Sequence, residues 1–429
     1  MSENVAAGLR AGRGRAFFSA VLTTLAHLSK LAVGFLLLKL MAVYLGVDGV
    51  GQLGNFMSAV LFLSLLAGGG IQNGVIKYVA EFKLSPRALV GFLSTARVYS
   101  LGFCCCLLLL AIGFSRPLAM LLMGTADYAW LIIVLGFAQF GFAFSNIING
   151  IANGLHQTKV YAAIQIFGNT LTLPLAWLLI SRHGLAGAAL STVAFYLSYS
   201  LPALYFLLRS KLRRHVKWVL VDRAHLRDLS GFTLMAAVGS VSVPIVEIIV
   251  RHLLMTEVGL NAAGIWQASI KLSSAYMGFF VVFLAAYFMP IVSAQQNRRE
   301  VAAIVWKFMS LVMGLFFIGA SAFYMMRGAL IPMMLSRDFD ELTDFIQYQL
   351  IGDFLRISTY VIGFVVVAKA ATRLYVALEI GQGLIFCVFS VVALKQGMGL
   401  RGVFVAHVLM NCIYFICSLV AFNIYAKRR

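Results

Sequence analysis

The chain has 429 residues, of which 62% are hydrophobic and 11% are charged. Soluble domains carry roughly 45–50% apolar and about 25% charged residues, and a chain this apolar lacks the polar surface that a soluble fold requires. The net charge of +19 would favour nucleic-acid binding only if the rest of the protein surface were polar. The composition therefore excludes a soluble enzyme and a nucleic-acid-binding module, and it predicts a polytopic membrane protein.

Twelve apolar stretches are each long enough to cross a bilayer, which takes about 20 residues. The first six are predicted at 17–45, 50–80, 88–113, 128–154, 158–180 and 185–208. The other six are predicted at 230–255, 262–292, 301–326, 343–370, 372–394 and 399–425. An even number of spans places both termini on the same side of the membrane.

Lysine and arginine are unevenly distributed between the two sets of loops. About 20 lie on one side, seven of them in the connection 209–229, whereas the other side carries only Arg116, Arg182, Arg327, Arg337, Lys395 and Arg401. Because cytoplasmic loops retain Lys and Arg, we expect both termini and the basic linker 209–229 to be cytoplasmic. The linker divides the chain into an N-lobe, 1–208, and a C-lobe, 230–429.

The two lobes share short sequence patterns at a nearly fixed offset, which indicates a duplicated unit. Residues 46–51 correspond to 259–264, and 184–187 correspond to 399–402. Since each copy holds six spans, the copies have the same orientation in the membrane. The predicted fold is all-α, with twelve transmembrane helices in two parallel-related six-helix lobes around a central cavity.

Cations outnumber acids inside the predicted spans. An intramembrane charge costs at least about 2.5–3.5 kcal/mol at a helix centre, so it normally faces a partner, an aqueous cavity or a ligand. The three acids are Glu247, Asp353 and Glu379, and the eight cations are Lys30, Lys39, Lys77, Arg97, Arg251, Lys271, Lys307 and Arg356. This surplus predicts a cavity that binds an anion.

Lys30 and Lys271 are the strongest candidates for lining that cavity. Lys30 cannot easily reach either interface, and Lys271 has no acid three or four positions away. Lys77 fits an interfacial position and a cavity position equally well. The interface is favoured for the other unpaired cations, because long side chains extend from a span end to the headgroups.

Two ion pairs are predicted from helical spacing. Glu247 lies four residues before Arg251, and Asp353 lies three residues before Arg356. Each pair either neutralises its charges structurally or takes part in coupling. Glu379 has the same two alternatives, a structural role or proton coupling.

A glycine-rich segment interrupts the second span. Gly68-Gly69-Gly70 precedes Gln72 and Asn73, which predicts either a tight packing surface or a locally broken helix that presents backbone groups to a polar ligand. Gln72, Asn73 and Asn55 therefore join Lys30, Lys77, Arg251 and Lys271 as candidate substrate-binding residues. No nucleotide-binding, metal-binding or catalytic motif is recognised, so neither a cofactor nor a metal ligand is predicted.

Three segments carry a family resemblance: Gly70-Ile71-Gln72-Asn73-Gly74-Val75-Ile76-Lys77-Tyr78, Gly264-Ile265-Trp266-Gln267 and Gln349-Leu350-Ile351-Gly352-Asp353-Phe354-Leu355-Arg356. With the duplicated six-span plan, they resemble the polysaccharide-repeat-unit flippases of the multidrug/oligosaccharidyl-lipid/polysaccharide exporter superfamily. That group includes flippases for O-antigen and for enterobacterial common antigen lipid III.

The resemblance implies a protein of the bacterial inner membrane that moves an undecaprenyl-diphosphate-linked oligosaccharide from the cytoplasmic to the periplasmic leaflet. It implies alternating access, with membrane lipids and other glycan-assembly membrane proteins as partners. The diphosphate would supply the charge that Lys30, Lys271, Arg251 and Lys77 require.

Two other functions are weighed against the flippase. A cation-coupled multidrug exporter of the same fold is expected to place acids, not lysines, in its cavity. A membrane-embedded glycan ligase or polymerase is expected to carry a large periplasmic loop, whereas the outer loops here are short. The sequence therefore favours a transporter that is not an enzyme and does not bind nucleic acid.

Overall fold

The computed structural model describes residues 2–210, 221–295, 297–368 and 372–427, and the regular elements in these ranges are helical. The first seven helices are α1 Ser2–Leu66, α2 Gln72–Phe82, α3 Pro86–Gly113, α4 Ser115–Met123, α5 Ala129–Gly154, α6 Thr158–Leu197 and α7 Ser200–Arg209. The other eight are α8 Arg223–Glu257, α9 Leu260–Phe283, α10 Met289–Ala294, α11 Arg298–Met325, α12 Arg327–Met334, α13 Leu342–Ala368, α14 Thr372–Lys395 and α15 Gly399–Lys427. The predicted all-α class is confirmed.

The two longest helices, α1 and α6, each run from one predicted span into the next. A straight helix of 65 residues, the length of α1, would extend about 100 Å, far beyond the roughly 30 Å hydrocarbon core. Gly46 interrupts α1 with a φ of 65°, and Gly184 interrupts α6 with a φ of 51°. Because glycine adopts positive φ without steric cost, the helix is interrupted there, and each helix holds one predicted span and the start of the next, which continues into α2 or α7.

Eight helical segments among the described residues are long and apolar enough to cross a membrane, including Val21–Phe82 and Thr158–Arg209. These two segments hold the four spans predicted between 17–80 and 158–208. The spans predicted at 230–255 and 262–292 correspond to α8 and to α9 with the π-helical segment Leu284–Phe288 and α10.

Corresponding local conformations recur in the two sequence halves. Two short helices that were not predicted, α4 and α12, follow α3 and α11, and each precedes a 3-10 turn, Ala126–Tyr128 or Arg337–Phe339. Positive φ also recurs at matched positions, in Gly46 and Gly259 and in Gly184 and Gly399. These matches support the sequence repeat.

The chain forms two compact units. The first unit contains residues 1–34 and 59–240, and the second contains 35–58 and 241–429. Compared with the predicted lobes, residues 35–58 of the N-lobe group with the second unit, and residues 230–240 of the C-lobe group with the first. The division into membrane lobes at the linker stays a prediction, and residues 211–220 of that linker lie outside the described ranges.

Each unit has its own apolar core. In the first unit, Val75 and Val79 of α2 pack with Phe92 of α3 and Ile151 of α5. Gly154 lets α5 approach closely, since a Cβ atom there would lie 2.8 Å from the Ile76 carbonyl oxygen. This packing fixes α2 against α5 and thereby positions Gln72 at the start of α2.

Candidate functional site

A polar cavity of about 140 Å³ lies in the first unit, among α1, α2, α5 and α6. Its lining consists of His27, Lys30, Ser64, Leu65, Gln72, Phe142, Ser145, Asn146, Asn149, Tyr161, Gln165, Tyr196 and Tyr199. One water needs only about 10–15 Å³ of such space, so the cavity has room for polar ligand groups. We call it the Lys30 cavity.

Lys30 gives this cavity its ammonium group. The side chain is half-buried, and Nζ lies 5.6 Å from the centre of the Tyr196 ring, within the range of a cation–π attraction. No carboxylate in the described part of the chain lies within the 4.0 Å ion-pair distance of Nζ. An ammonium group in this setting is suited to an anionic ligand.

The break in the second span is present, and it is also tightly packed. Gly68, Gly69 and Gly70 all have positive φ between the end of α1 and the start of α2. A Cβ atom on Gly68 would lie 2.8 Å from the Ala143 Cβ, and one on Gly70 would lie 2.5 Å from the Ala236 Cβ. The helix break and the tight packing therefore occur together, and the presentation of backbone groups to a ligand stays a prediction.

The residues that follow the break separate into two groups. Gln72 lines the Lys30 cavity, whereas Asn73 and Lys77 are exposed and are not among its lining residues. Lys77 Nζ lies 4.8 Å from the centre of the Tyr78 ring. Among the candidate residues on α2, only Gln72 lines the same cavity as Lys30.

Several lining residues were missed by the sequence analysis. Asn146 Nδ2 donates to the Ser64 carbonyl at 3.0 Å, and Tyr199 donates to Asn169 Oδ1 at 2.6 Å. Asn169 Nδ2 in turn donates to Ser29 Oγ at 2.7 Å. These bonds tie α6 to α1 and α5 to α1, which fixes the cavity wall. Isolated amides and hydroxyls within apolar spans were the available signal.

Arg251 is fully buried in the second unit, where it joins α1, α8 and α9. Its NH1 donates to Asn55 Oδ1 at 2.8 Å, and its NH2 donates to Gln267 Oε1 and lies 3.7 Å from Glu247 Oε2. The guanidinium carbon lies 5.4 Å from the centre of the Trp266 ring. The predicted Glu247–Arg251 proximity is present, but Asn55 is buried against Arg251 in this structure.

Glu247 has a closer partner than Arg251. Its Oε2 accepts a hydrogen bond from Ser58 Oγ at 2.8 Å, whereas the 3.7 Å separation from Arg251 is an ion pair beyond ordinary hydrogen-bond length. Arg251 itself packs closely against α1. Gly54 of that helix has no side chain, and a Cβ atom there would lie 2.7 Å from Arg251 Cδ.

Asp353 forms the centre of a second buried polar cluster. Its Oδ2 accepts hydrogen bonds from Ser273 at 2.6 Å, from Gln349 Nε2 at 2.9 Å and from the Tyr276 hydroxyl. Its Oδ1 lies 3.4 Å from His407 Nε2 but 4.0 Å from Arg356 NH1. The predicted proximity of Asp353 and Arg356 is present, but hydroxyls of α9, the Gln349 amide of α13 itself and the His407 imidazole of α15 lie closer.

The remaining predicted charges occupy different surroundings. Lys271 is half-buried, lies one helical turn after Gln267, and has no carboxylate within 4.0 Å among the described residues. Glu379 is half-buried on α14, within electrostatic range of Arg356. Lys39, predicted to lie near a span end, donates to the Met333 carbonyl.

Comparison with known proteins connects this arrangement to transporters. No family model matches the chain. A protein of Escherichia coli (strain K12) named lipid III flippase is 29% identical over 410 residues, which cover 95% of this chain and 98% of that protein. A protein of the same name from Shigella flexneri gives the same identity and coverage.

Solved structures provide the fold. A multidrug resistance MATE family transporter of the MOP superfamily, in an inward-facing conformation, matches with a TM-score of 0.81 at 16% identity and covers 94% of both chains. A MOP superfamily transporter from Pyrococcus furiosus, described as having a binding pocket of reversed polarity, matches with a TM-score of 0.70 at 14% identity and 95% coverage of both chains.

These likenesses confirm the family resemblance predicted from the sequence and the all-helical, two-lobe, twelve-span fold. The chain is a multi-pass membrane protein. Its relatives are transporters, so the ligase or polymerase alternative is not favoured.

Proposed function

We propose that this chain is a flippase that moves a lipid-linked oligosaccharide from the cytoplasmic to the periplasmic leaflet of the bacterial inner membrane by alternating access. The observation that carries the proposal is the Lys30 cavity, in which amides, hydroxyls and tyrosines surround an ammonium group that has no carboxylate within 4.0 Å among the described residues. Likeness to the proteins named lipid III flippase, over 95% of this chain, supports the same conclusion.

The chemistry of the cavity suits a diphosphate-linked saccharide. Lys30 would pair with a phosphate oxygen through a charge-assisted hydrogen bond. Gln72, Asn146 and Gln165 offer amide donors and acceptors for sugar hydroxyls, and the ring of Tyr196 offers an apolar face to the sugar. A cavity for cationic drugs is expected to carry acids, not a lysine, at these positions.

The other candidate residues receive different proposed roles. Lys271 would be a second cation for the diphosphate, and Asn73 and Lys77 remain candidates because they are exposed on the same helix as Gln72. Arg251 and Asn55 would act through the conformation that they stabilise, because both are buried against each other. The coupling candidates are Glu247, Asp353, Arg356 and Glu379.

Translocation is tested with the full-length chain in proteoliposomes that contain an undecaprenyl-diphosphate-linked oligosaccharide. We expect the saccharide to become accessible to an impermeant glycosidase faster than in protein-free liposomes. A rate equal to that of protein-free liposomes would contradict the proposal. Transport of ethidium without saccharide translocation would instead favour the multidrug exporter.

The predicted orientation is tested with single cysteines in a background that lacks the six native ones. Asp48→Cys and Arg337→Cys, both at exposed positions, should react in intact spheroplasts with an impermeant maleimide, because the charge bias places them outside. Lys217→Cys, in the linker outside the described residues, and the exposed Arg299→Cys should react only after lysis. Labelling of Lys217→Cys in intact spheroplasts would contradict the predicted orientation.

A further inference from the structure

A second polar cavity, of about 370 Å³, lies in the second unit, apart from every residue proposed above to bind substrate. It is formed by the start of α12 and by the N-terminal turns of α13 and α15. Its lining residues are Arg327, Thr343, Asp344, Phe345, Gln347, Tyr348 and Arg401. We call it the arginine cavity.

Each arginine is held in place by a tyrosine. Arg327 NH1 donates to the Tyr324 carbonyl at 2.8 Å, and its guanidinium carbon lies 4.1 Å from the centre of the Tyr324 ring. Arg401 Nε donates to the Tyr348 hydroxyl at 3.1 Å, with its guanidinium carbon 5.8 Å from that ring. Both guanidinium groups are therefore oriented before any ligand binds.

Most donors of these arginines remain available. A guanidinium group carries five N–H donors, and each arginine makes one hydrogen bond in the described part of the chain. No described carboxylate lies within 4.0 Å of either group, although Asp344 lines the same cavity. The arginines are thus not neutralised by an ion pair among these residues.

The remaining lining groups suit a polyol. Gln347 Oε1 accepts a hydrogen bond from the Tyr324 hydroxyl at 3.1 Å, which leaves the Gln347 amide nitrogen able to donate. Asp344 is exposed and can accept hydrogen bonds from sugar hydroxyls. A compact, highly charged phosphate would be repelled by Asp344, whereas a saccharide with one anionic group can place that group at the arginines and its hydroxyls at Asp344.

We propose that the arginine cavity binds a saccharide that carries one anionic group, through paired hydrogen bonds from Arg327 and Arg401. Planar guanidinium groups match the two oxygens of a carboxylate, which makes such contacts geometrically selective. The assignment rests on the proposed function in one respect: in the predicted orientation this cavity faces the periplasm, where a translocated saccharide leaves the protein.

The binding test uses full-length protein in nanodiscs and a free disaccharide that contains one glucuronic acid. Titration calorimetry compares wild type with Arg327→Gln, Arg401→Gln and the control Arg116→Gln. Arg116 lies at the start of α4, the short helix that corresponds to α12 in the first sequence half, and it is exposed and does not line this cavity. We expect each cavity variant to weaken binding at least tenfold, and we expect the control to bind as wild type does.

Two further ligands separate the possible sources of the negative charge. The methyl ester of the disaccharide should bind at least tenfold more weakly than the acid and should not respond to the arginine variants. Pyrophosphate should bind weakly and should not displace the disaccharide. Tight pyrophosphate binding that strengthens in Asp344→Asn would instead assign the cavity to the diphosphate group and overturn the saccharide assignment.

The remaining outcomes also decide the proposal. Equal binding by wild type and both arginine variants, equal binding of acid and ester, or no binding to wild type would each overturn it. Size-exclusion chromatography and thermal unfolding identify any variant that has lost its fold. If both glutamine variants fail these checks, Arg327→Lys and Arg401→Lys replace them. Each lysine variant should bind the disaccharide more weakly, because an ammonium group cannot form the paired hydrogen bonds of a guanidinium group. Since this assay uses a free disaccharide, wild type that translocates lipid-linked substrate without binding the disaccharide would refute this site alone. Failure of wild type to translocate would refute the proposed function.

Discussion

Replacement of Lys30 by alanine is expected to reduce saccharide translocation at least tenfold while the amount of folded protein stays near the wild-type level. A hydrogen bond to a charged group contributes about 1.5–3 kcal/mol, and each 1.4 kcal/mol corresponds to a factor of about ten. Lys30 is half-buried and has no carboxylate within 4.0 Å among the described residues, so its removal leaves no acid without a counter-charge. The loss should therefore appear in transport rather than in stability.

Lys30→Arg should retain part of the activity, because a diphosphate accepts either cation with different geometry. Lys271→Ala should behave like Lys30→Ala if both lysines contact the diphosphate. Lys39→Ala is the matched control, since Lys39 donates to the Met333 carbonyl and does not line the Lys30 cavity. Translocation in proteoliposomes and protein abundance are measured together. Wild-type rates in both alanine variants would remove the two lysines from the site.

Arg251→Gln is expected to lower the free energy of unfolding strongly, because breaking a buried ion pair by removing one partner costs about 3–5 kcal/mol. The side chain is fully buried, and its guanidinium group donates to both Asn55 and Gln267. Its loss would leave both amide oxygens and the Glu247 carboxylate without their cation. Glu247→Gln should cost less, because Arg251 keeps its two amide partners and the closest partner of Glu247 is Ser58.

The double variant Glu247→Gln with Arg251→Gln separates a structural pair from a switching pair. If the pair only neutralises its charges, the double variant should fold better than Arg251→Gln alone, although Asn55 and Gln267 still lack their donor. Its translocation should then follow the amount of folded protein. If substrate competes with Glu247 for Arg251, the double variant should fold but not translocate, because no charged group remains to exchange partners. Arg299→Gln, at an exposed position in the same unit, is the control. Full translocation by a well-folded double variant would refute switching.

Much of this molecule follows from local properties of the sequence. Hydropathy predicted the twelve spans because bilayer thickness sets the length of an apolar helix. Corresponding segments predicted the repeat, whose matched glycines at 46 and 259 both have positive φ. The cation surplus predicted unpaired lysines, and Lys30 lines a polar cavity. Each of these features can be read from neighbouring residues, from a count, or from a comparison of one half of the sequence with the other.

The partners of the buried polar groups were decided only by tertiary structure. Helical spacing paired Arg251 with Glu247, yet its nearest described acceptors include Asn55, 196 positions away. Asp353 likewise accepts from Ser273, 80 positions away, at a shorter distance than its separation from Arg356. A span that is apolar on every side has no polar face to mark which helices will pack against it. An unsatisfied polar group is costly in the membrane, so a partner for such a group is expected. Which residue becomes that partner depends on how the helices pack.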